Sequence, residues 1–325
     1  MNRQICQRFN QIKSFKNLPS IEELEQKTVL MMVNTDRAVD FPEPLQPNMI
    51  EIGGLQIAEP NPLSDEMENF IKTAKKGTIL MSLGTNMKSN SLGDELLTKI
   101  IKTFAQLPDY NFIWKFESEA KDLPINLSKN VKIGKFLPQN DILANPGIVG
   151  FISHSGLLST HEALYHGTPI IGSLLQFLDI LLLKLSYQSS GMPFFLDQHR
   201  TISHTISLGV GSKVDFKTLT VENFKQSILS IVDNPKVAKN SARISKLFKD
   251  KPQKPLDKAV WWVDYVIRNP DLDNIKSPTL KLGFLATYSL DIIFAFVVIS
   301  FVFLYAIRKL FMKIFCKKNS KRKTE

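Results

Sequence analysis

Three stretches of the chain carry residues whose types and spacing could do chemistry: SLGTN at Ser82–Asn86, KFLPQND at Lys135–Asp141 and SHSGLLSTHE at Ser153–Glu162. The last is the most informative. An apolar run, GIVGFIS, delivers His154 onto a loop, and a helix-forming segment follows at once. The free backbone N–H groups and positive dipole end of such a helix point back at the loop, a natural site for a diphosphate. Ser159 and Glu162 are also spaced as a capping box, Ser159 as N-cap and Glu162 at N3, so a structural role competes with a binding one. HEALYH suggests a zinc protease, but that motif needs two histidines at i and i+4. His161 and His166 are five apart, about 140° around a helix, so no metal site is expected.

Alternating elements must position these loops. GTILMSLG reads as a strand, SLGDELLTKIIKTFAQL as an amphipathic helix, and NFIWKFE and VKIGKF as strands. DILAN is a short helix, GIVGFIS a strand, LLSTHEALYHG a helix and TPIIG a strand. Strands alternating with helices predict an α/β fold with a Rossmann-like, doubly wound parallel sheet, in which ligands meet the carboxyl ends of the strands. No G-x-G-x-x-G is present, which argues against a nicotinamide dehydrogenase. Ahead of the sheet, Leu18–Lys27 reads as a short helix and Thr28–Asn34 as a buried strand. DFPEPLQPN and NMIEIGG then read as an extended linker, the composition of a domain boundary.

The net charge of +10 is concentrated at one end. Beyond Ile307 there are eight Lys or Arg against Glu325 alone, which accounts for +7 of it, and nothing in the remainder resembles a nucleic-acid groove. Just upstream, Tyr288–Ile307 (YSLDIIFAFVVISFVFLYAI) is long and apolar enough for a transmembrane helix, with Asp291 near one interface and Tyr288 and Tyr305 suited to the aromatic belts. The basic flank predicts a cytosolic tail, 308–325, and a lumenal main domain in a single-pass endoplasmic-reticulum protein. Lys323 and Lys321, three and five from the end, are spaced like a dilysine retrieval signal or a mere membrane-flanking cluster. A lumenal domain calls for a signal peptide, yet MNRQICQRFNQIKSF has no apolar core. Cys6 and Cys316 would lie on opposite sides of the membrane, and Asn126 opens the glycosylation sequon NLS.

SLGTN, WKFE, KFLPQNDILANP, FISHSGLLSTHEALYHGTPIIG and DQHR, in this order and spacing, resemble the donor half of a membrane-anchored, insect-type UDP-glycosyltransferase similar to the UDP-glucuronosyltransferases. The resemblance runs from about Leu18 to the tail and implies the carboxyl-terminal half of a GT-B glycosyltransferase. It implies hexosyl or glucuronosyl transfer from a UDP-sugar to a small lipophilic acceptor, metal-free and inverting, with UDP-sugar as co-substrate and no further cofactor. It places Ser82, Thr85, His154, Gly156 and Ser159 around the phosphates, Glu162 on the ribose, Phe136 and Gln139 at the uracil, and Asp197 and Gln198 on the sugar hydroxyls. Two departures stand out. Phe136 replaces the family's more frequent Trp and could instead be a core aromatic, and Ser155 replaces the second residue of HGG, where a Cβ demands an unusual backbone angle. The family's histidine base sits on the amino-terminal half, of which residues 1–52 look like a remnant, so no residue here takes the catalytic-base role.

The implied domains are 53–270 for UDP-sugar binding, 271–287 as a membrane-proximal linker, and 288–307 as the membrane helix. GTPIIG should run straight into a loop carrying Asp197 and Gln198, but Ser173–Gly191 (SLLQFLDILLLKLSYQSSG) intervenes and reads as an insertion. Its 19 residues correspond to 57 nucleotides, the size of a small retained intron; alternatively Leu175, Leu178, Leu182 and Leu185 share one face of an amphipathic helix. The competing reading for the whole chain is a membrane-anchored subunit that binds UDP-sugar without turnover, or that forms homo- or hetero-oligomers with full-length paralogues and modulates them.

Overall fold

The computed structural model describes residues 19–85, 87–174, 196–276 and 284–321. The chain divides into two compact units, Met1–Met31 with Gln46–Met49 and Asn269–Glu325, and Met32–Leu45 with Ile50–Arg268. Along the chain come α1 (Ile21–Lys27), β1 (Met31–Val33), β2 (Met49–Glu51), α2 (Asp65–Lys72), β3 (Gly77–Ser82) and α3 (Asp94–Ala105). There follow β4 (Tyr110–Lys115), β5 (Val131–Gly134), α4 (Gln139–Leu143), β6 (Ile148–Ser153), α5 (Leu157–His166) and β7 (Ile170–Leu174). Then α6 (Leu196–Ser207), β8 (Gly211–Asp215), α7 (Val221–Val232), α8 (Pro235–Lys249) and α9 (Pro255–Arg268) complete the α/β unit. The short α10 (Phe284–Thr287) and long α11 (Leu290–Lys321) follow.

The six-stranded sheet has the order β5-β4-β3-β6-β7-β8, and every neighbouring pair is parallel. Period-two burial explains how it is held. Ile79 and Met81 of β3 face one way, with Phe112 and Trp114 of β4, onto Ile100 and Phe104 of α3 and Phe224 and Ile228 of α7. Leu80, Ile113 and Phe151 face the other way, onto Ile142 of α4, Leu164 of α5 and Ile244 and Phe248 of α8. With both faces covered, the strands are near-continuous apolar runs. Phe104 stacks on Phe112 with ring centroids 3.9 Å apart, and truncating either ring to alanine is expected to remove roughly 3–5 kcal/mol.

Strand order reverses between β3 and β6, which grow outward in opposite directions from a shared seam. Ser82 pairs in register with Ser153 at its carboxyl end, so the loops after both strands open into one crevice, the topological switch point.

Two readings of the sequence are corrected by the structure, the buried strand and the bounds of the apolar helix. Thr28–Asn34 is not a buried strand: β1 has three residues, none buried, because a two-stranded ribbon with β2 gives it no second layer to pack on. The Pro-rich stretch has no regular secondary structure over 41–46, and Asp40 and Glu43 tie its first half to residues of α5 and α6. The apolar helix opens at Leu290, after Ser289 at φ +53°, and runs past the basic residues to Lys321, with its membrane-compatible stretch at Leu290–Leu310. Of the Leu-rich block, Ser173 and Leu174 continue β7, paired with Val214 and Asp215 of β8. Residues 175–191, and with them both readings of the block, lie outside the described residues, as does the 1–15 stretch.

Candidate functional site

The carboxyl end of each successive strand leads to a candidate ligand residue: Ser82 from β3, Lys115 from β4, Phe136 and Gln139 after β5, His154 after β6, and Asp197 and Gln198 after β7. The loop after β3 is pinned by its neighbour. Ser89 N–H donates to Glu117 Oε2 at 2.8 Å, Ser89 Oγ donates to the Lys115 carbonyl at 2.9 Å, and Trp114 Nε1 donates to Ser89 Oγ at 3.2 Å. Gly84, at φ +85°, makes the turn, its N–H donating to Ser82 Oγ at 3.4 Å, and Thr85 is exposed at the tip.

His154 is wedged between two glycines. A Cβ on Gly84 would lie 2.6 Å from its Cε1, and one on Gly156 would lie 2.5 Å from its Nε2. Those two positions therefore tolerate no side chain without displacing the ring. Its Nδ1 is buried and without a hydrogen-bond partner among the described residues. Burial, reinforced by the Lys115 ammonium, pushes its pKa down to about 4, so the imidazole is neutral at physiological pH. Lys115 itself donates to the Gly84 carbonyl at 2.6 Å and stands 3.9 Å from Glu117. In WKFE the one signal for this residue is a lysine closing an otherwise buried strand at the ligand edge.

Ser155 adopts φ +63°, the angle a glycine would take freely, is buried, and leaves its Oγ, set against Gly172, without a hydrogen-bond partner among the described residues. A left-handed serine is strained by roughly 1–2 kcal/mol. The chain thus retains the loop geometry although a Cβ is present.

The capping-box reading of Ser159 is corrected. Helix α5 begins at Leu157 with Gly156 as N-cap, and no side chain caps it; Ser159 and Glu162 lie inside the helix. The first-turn N–H groups of such an end have no intrahelical partners and face the His154 loop. Ser159 and Glu162 are instead joined to Gln139, whose Nε2 donates to Ser159 Oγ at 3.1 Å and to Glu162 Oε2 at 2.6 Å. Burial raises the Glu162 pKa, partly offset by the Gln139 bond. Phe136 is 85 % exposed, so it is no core aromatic and presents an open ring face beside the crevice. Asp197 and Gln198 occupy the first turn of α6 rather than a loop or a solvated turn, because the helix already opens at Leu196.

His161 Nε2 donates to both oxygens of Asp40 at 2.9 Å, while His166 Nε2 meets Asn140 Oδ1 at 2.9 Å, so the two imidazoles serve separate partners. The Asp40 contact spans 121 positions, which no local pattern announces. A cavity of about 450 Å³ lies at the other end of α5, lined by Tyr165, Phe248, Lys249 and the 53–59 stretch, and shares no residue with the crevice.

Residues 5–179 and 189–324 match the sequence profile described as UDP-glucoronosyl and UDP-glucosyl transferase. The chain belongs to this family. The unmatched stretch, 180–188, falls within the Leu-rich block. Among curated relatives, UDP-glucosyltransferase 2 of Dactylopius coccus is 36% identical over 89% of this chain and 52% of its own length. UDP-glucuronosyltransferase 2B17 of Rattus norvegicus is 30% identical over 94% of this chain and 54% of its own. The chain spans about half the length of the curated relatives it matches. The fold is shared with the solved glycotransferase of kitacinnamycin, at 18% identity and TM-score 0.57 over 82% of this chain and 62% of that one. It is shared too with the spinosyn forosaminyltransferase SpnP, at 16% identity and TM-score 0.53 over 73% of this chain and 54% of that one. In this UDP-glycosyltransferase chain the fold is that of a GT-B domain carrying one apolar carboxyl-terminal helix.

Proposed function

We propose that this chain supplies the donor-binding half for transfer of a hexosyl or glucuronosyl group from a UDP-sugar to a small lipophilic acceptor. The observation that carries the reading is the switch-point crevice, where the uncapped end of α5, the unpartnered Nδ1 of His154 and the joined Gln139–Ser159–Glu162 side chains converge.

In the proposed assignment the diphosphate lies over the first turn of α5 between the loops of Ser82, Thr85, His154 and Gly156. Glu162 accepts hydrogen bonds from the ribose hydroxyls, with Gln139 holding its carboxylate, and Phe136 stacks on the uracil. Asp197 and Gln198 meet the sugar. The acceptor hydroxyl gives its proton to a base outside this chain as its oxygen attacks the anomeric carbon, the bond to the diphosphate oxygen breaks with inversion, and the electron pair leaves with UDP. Helix N–H groups and the Lys115 ammonium stabilise that growing charge more than they stabilise the bound substrate, which is what lowers the barrier. No metal enters this scheme, and no residue of this chain serves as the acceptor's base.

The Leu290–Leu310 stretch, followed by basic residues, is proposed to hold the chain in the endoplasmic reticulum membrane with the α/β unit lumenal. A second reading, a subunit that binds UDP-sugar without turnover, or that modulates longer paralogues by association, is favoured by the block lying between β7 and α6, which separates the phosphate loops from Asp197 and Gln198.

Calorimetry of UDP against the full chain, with and without Ser173–Gly191, tests the proposal. Binding that is abolished by Glu162→Ala in at least one form supports it. Folded protein that binds UDP in neither form overturns it. UDP binding without transfer, together with co-purification of a longer paralogue, favours the second reading.

A further inference from the structure

Asn126-Leu127-Ser128 is the sole Asn-x-Ser/Thr triplet in the 325 residues. It lies between a short turn of 3-10 helix at Ala120–Asp122 and β5. Its neighbours Ile125 and Leu127 are partly buried against the core, while Asn126 is exposed. The loop is thus anchored on both sides of an asparagine that points to solvent.

The far end of the loop is fixed more firmly. Ser128 Oγ donates to Asn130 Oδ1 at 2.6 Å, and Asn130 Nδ2 donates to the carbonyls of Phe104, Leu107 and Tyr110 at 3.0, 3.1 and 2.9 Å. These bonds hold the chain just before Val131, where β5 begins at the edge of the sheet. Because all six strands are parallel, the start of β5 lies at the amino edge, opposite the carboxyl edge that carries His154, Gln139 and Glu162. A large hydrophilic group at Asn126 therefore meets water and leaves the crevice open.

We propose that Asn126 is a site of N-glycosylation, an inference that rests on the lumenal orientation proposed above. The Asn126 amide nitrogen forms a bond to the anomeric carbon of a lipid-diphosphate-linked oligosaccharide. The bond from that carbon to the phosphate oxygen breaks, the lipid diphosphate leaves with the electron pair, and the amide gives up one proton to the transferring enzyme. Since the modified edge faces away from the crevice, UDP binding is unaffected.

The test expresses the full chain in insect cells, together with a form carrying an Asn-Ala-Thr acceptor tag on a flexible linker ahead of Met1. The expected result is a mobility shift reversed by peptide N-glycosidase, leaving aspartate at position 126 in the peptide mass spectrum. Asn126→Gln and Ser128→Ala should each lose the shift, and Ser128→Thr should keep it. UDP affinity of Asn126→Gln should stay within about twofold of the parent, as expected for a surface change away from the crevice. If the tag is glycosylated and Asn126 is not, this inference falls while the orientation stands. If neither is modified, the orientation and this inference fall together.

Discussion

The two strand-to-helix junctions on adjacent strands, β6 to α5 and β7 to α6, are built on opposite principles. The first takes three residues, His154, Ser155 and Gly156, and each conformation is fixed by contact: glycines on both sides of the imidazole and a serine held at φ +63°. The second separates Leu174 from Leu196 by a Leu-rich run, although its far end is secured: Ile202 of α6 sits where a Cβ on Gly172 would be. A short junction concentrates its ligand groups by steric necessity; a long one must rely on what lies beyond it. On the proposed assignment, the phosphate-facing function belongs to the first junction and the sugar-facing function depends on α6.

The strongest way to break this contrast is to crowd the short junction. Gly156→Ala would set a Cβ 2.5 Å from His154 Nε2 and push the ring from the crevice. A displacement of about 1 Å at such a site can cost 100-fold, so UDP affinity is expected to fall by about that factor in calorimetry, with the fold retained by circular dichroism. An alanine mutant that binds as well as the parent would show that the tight packing around His154 has no part in ligand binding.

The next effect in size concerns the side chains that span from α4 to α5. Glu162→Gln retains size but replaces the acceptor paired with Gln139 at 2.6 Å. Hydrogen bonds to charged groups contribute about 1.5–3 kcal/mol, so UDP binding should weaken by roughly 10- to 100-fold. UMP, which keeps the ribose, should lose as much, whereas inorganic diphosphate should be unaffected. Equal losses for all three would place Glu162 at the phosphates instead.

How far the two junctions could be read from the sequence differs for the same reason. The strand runs GTILMS and IVGFIS are buried on both faces, and burial on both faces requires an apolar run, so they were legible; the spatial order that sets β3 beside β6 was not, because it rests on pairing between distant strands. Ser159 was misread as a cap because its spacing to Glu162 fits a capping box, while the true N-cap, Gly156, has no side chain to advertise it. Phe136 was read as a ligand with a core aromatic as the alternative, since a hydrophobic residue at a strand end carries no marker of which way it points; its 85 % exposure removes the alternative. Contacts across long separations, Asp40 with His161 and Lys115 with Gly84, left no local trace. The elements between β7 and the apolar helix, α6, β8 and α7 to α9, went unread, because the interruption after GTPIIG removes the alternation that the period-based reading depends on.

A pH titration tests the short junction in a third way. An unfolded histidine titrates near 6.5, whereas folded His154 is held at about 4 by burial and by Lys115. Between those values the unfolded chain binds a proton that the folded chain refuses. Stability is therefore fully present above about pH 6.5 and declines as pH falls toward 4. His166, pushed to about 4 by burial and Lys249, acts with the same sign. Glu162, raised by burial, acts oppositely, removing stability as pH rises above the ordinary carboxylate range. The urea midpoint should thus drop between pH 7 and pH 5, and by less in His154→Gln. An unchanged slope in that variant would mean that the imidazole is already solvated.

The smallest effect belongs to the far end of the long junction. Arg200 of α6 pairs with Glu43, and its guanidinium lies 4.7 Å from the Phe41 ring centroid. Both charged partners are about half exposed, at 48% and 50%, so water screens the pair and its contribution should be no more than about 1 kcal/mol. Arg200→Ala is expected to shift the urea midpoint only slightly and to leave UDP affinity as it was. The informative readout is affinity for an intact UDP-sugar relative to UDP. If α6 is held mainly by Ile202 and the sheet, the ratio stays constant. If the ratio changes by tenfold while UDP binding does not, the surface pair is what fixes the first turn of α6, and the orientation of Asp197 and Gln198 is set from the 32–45 segment rather than from β7.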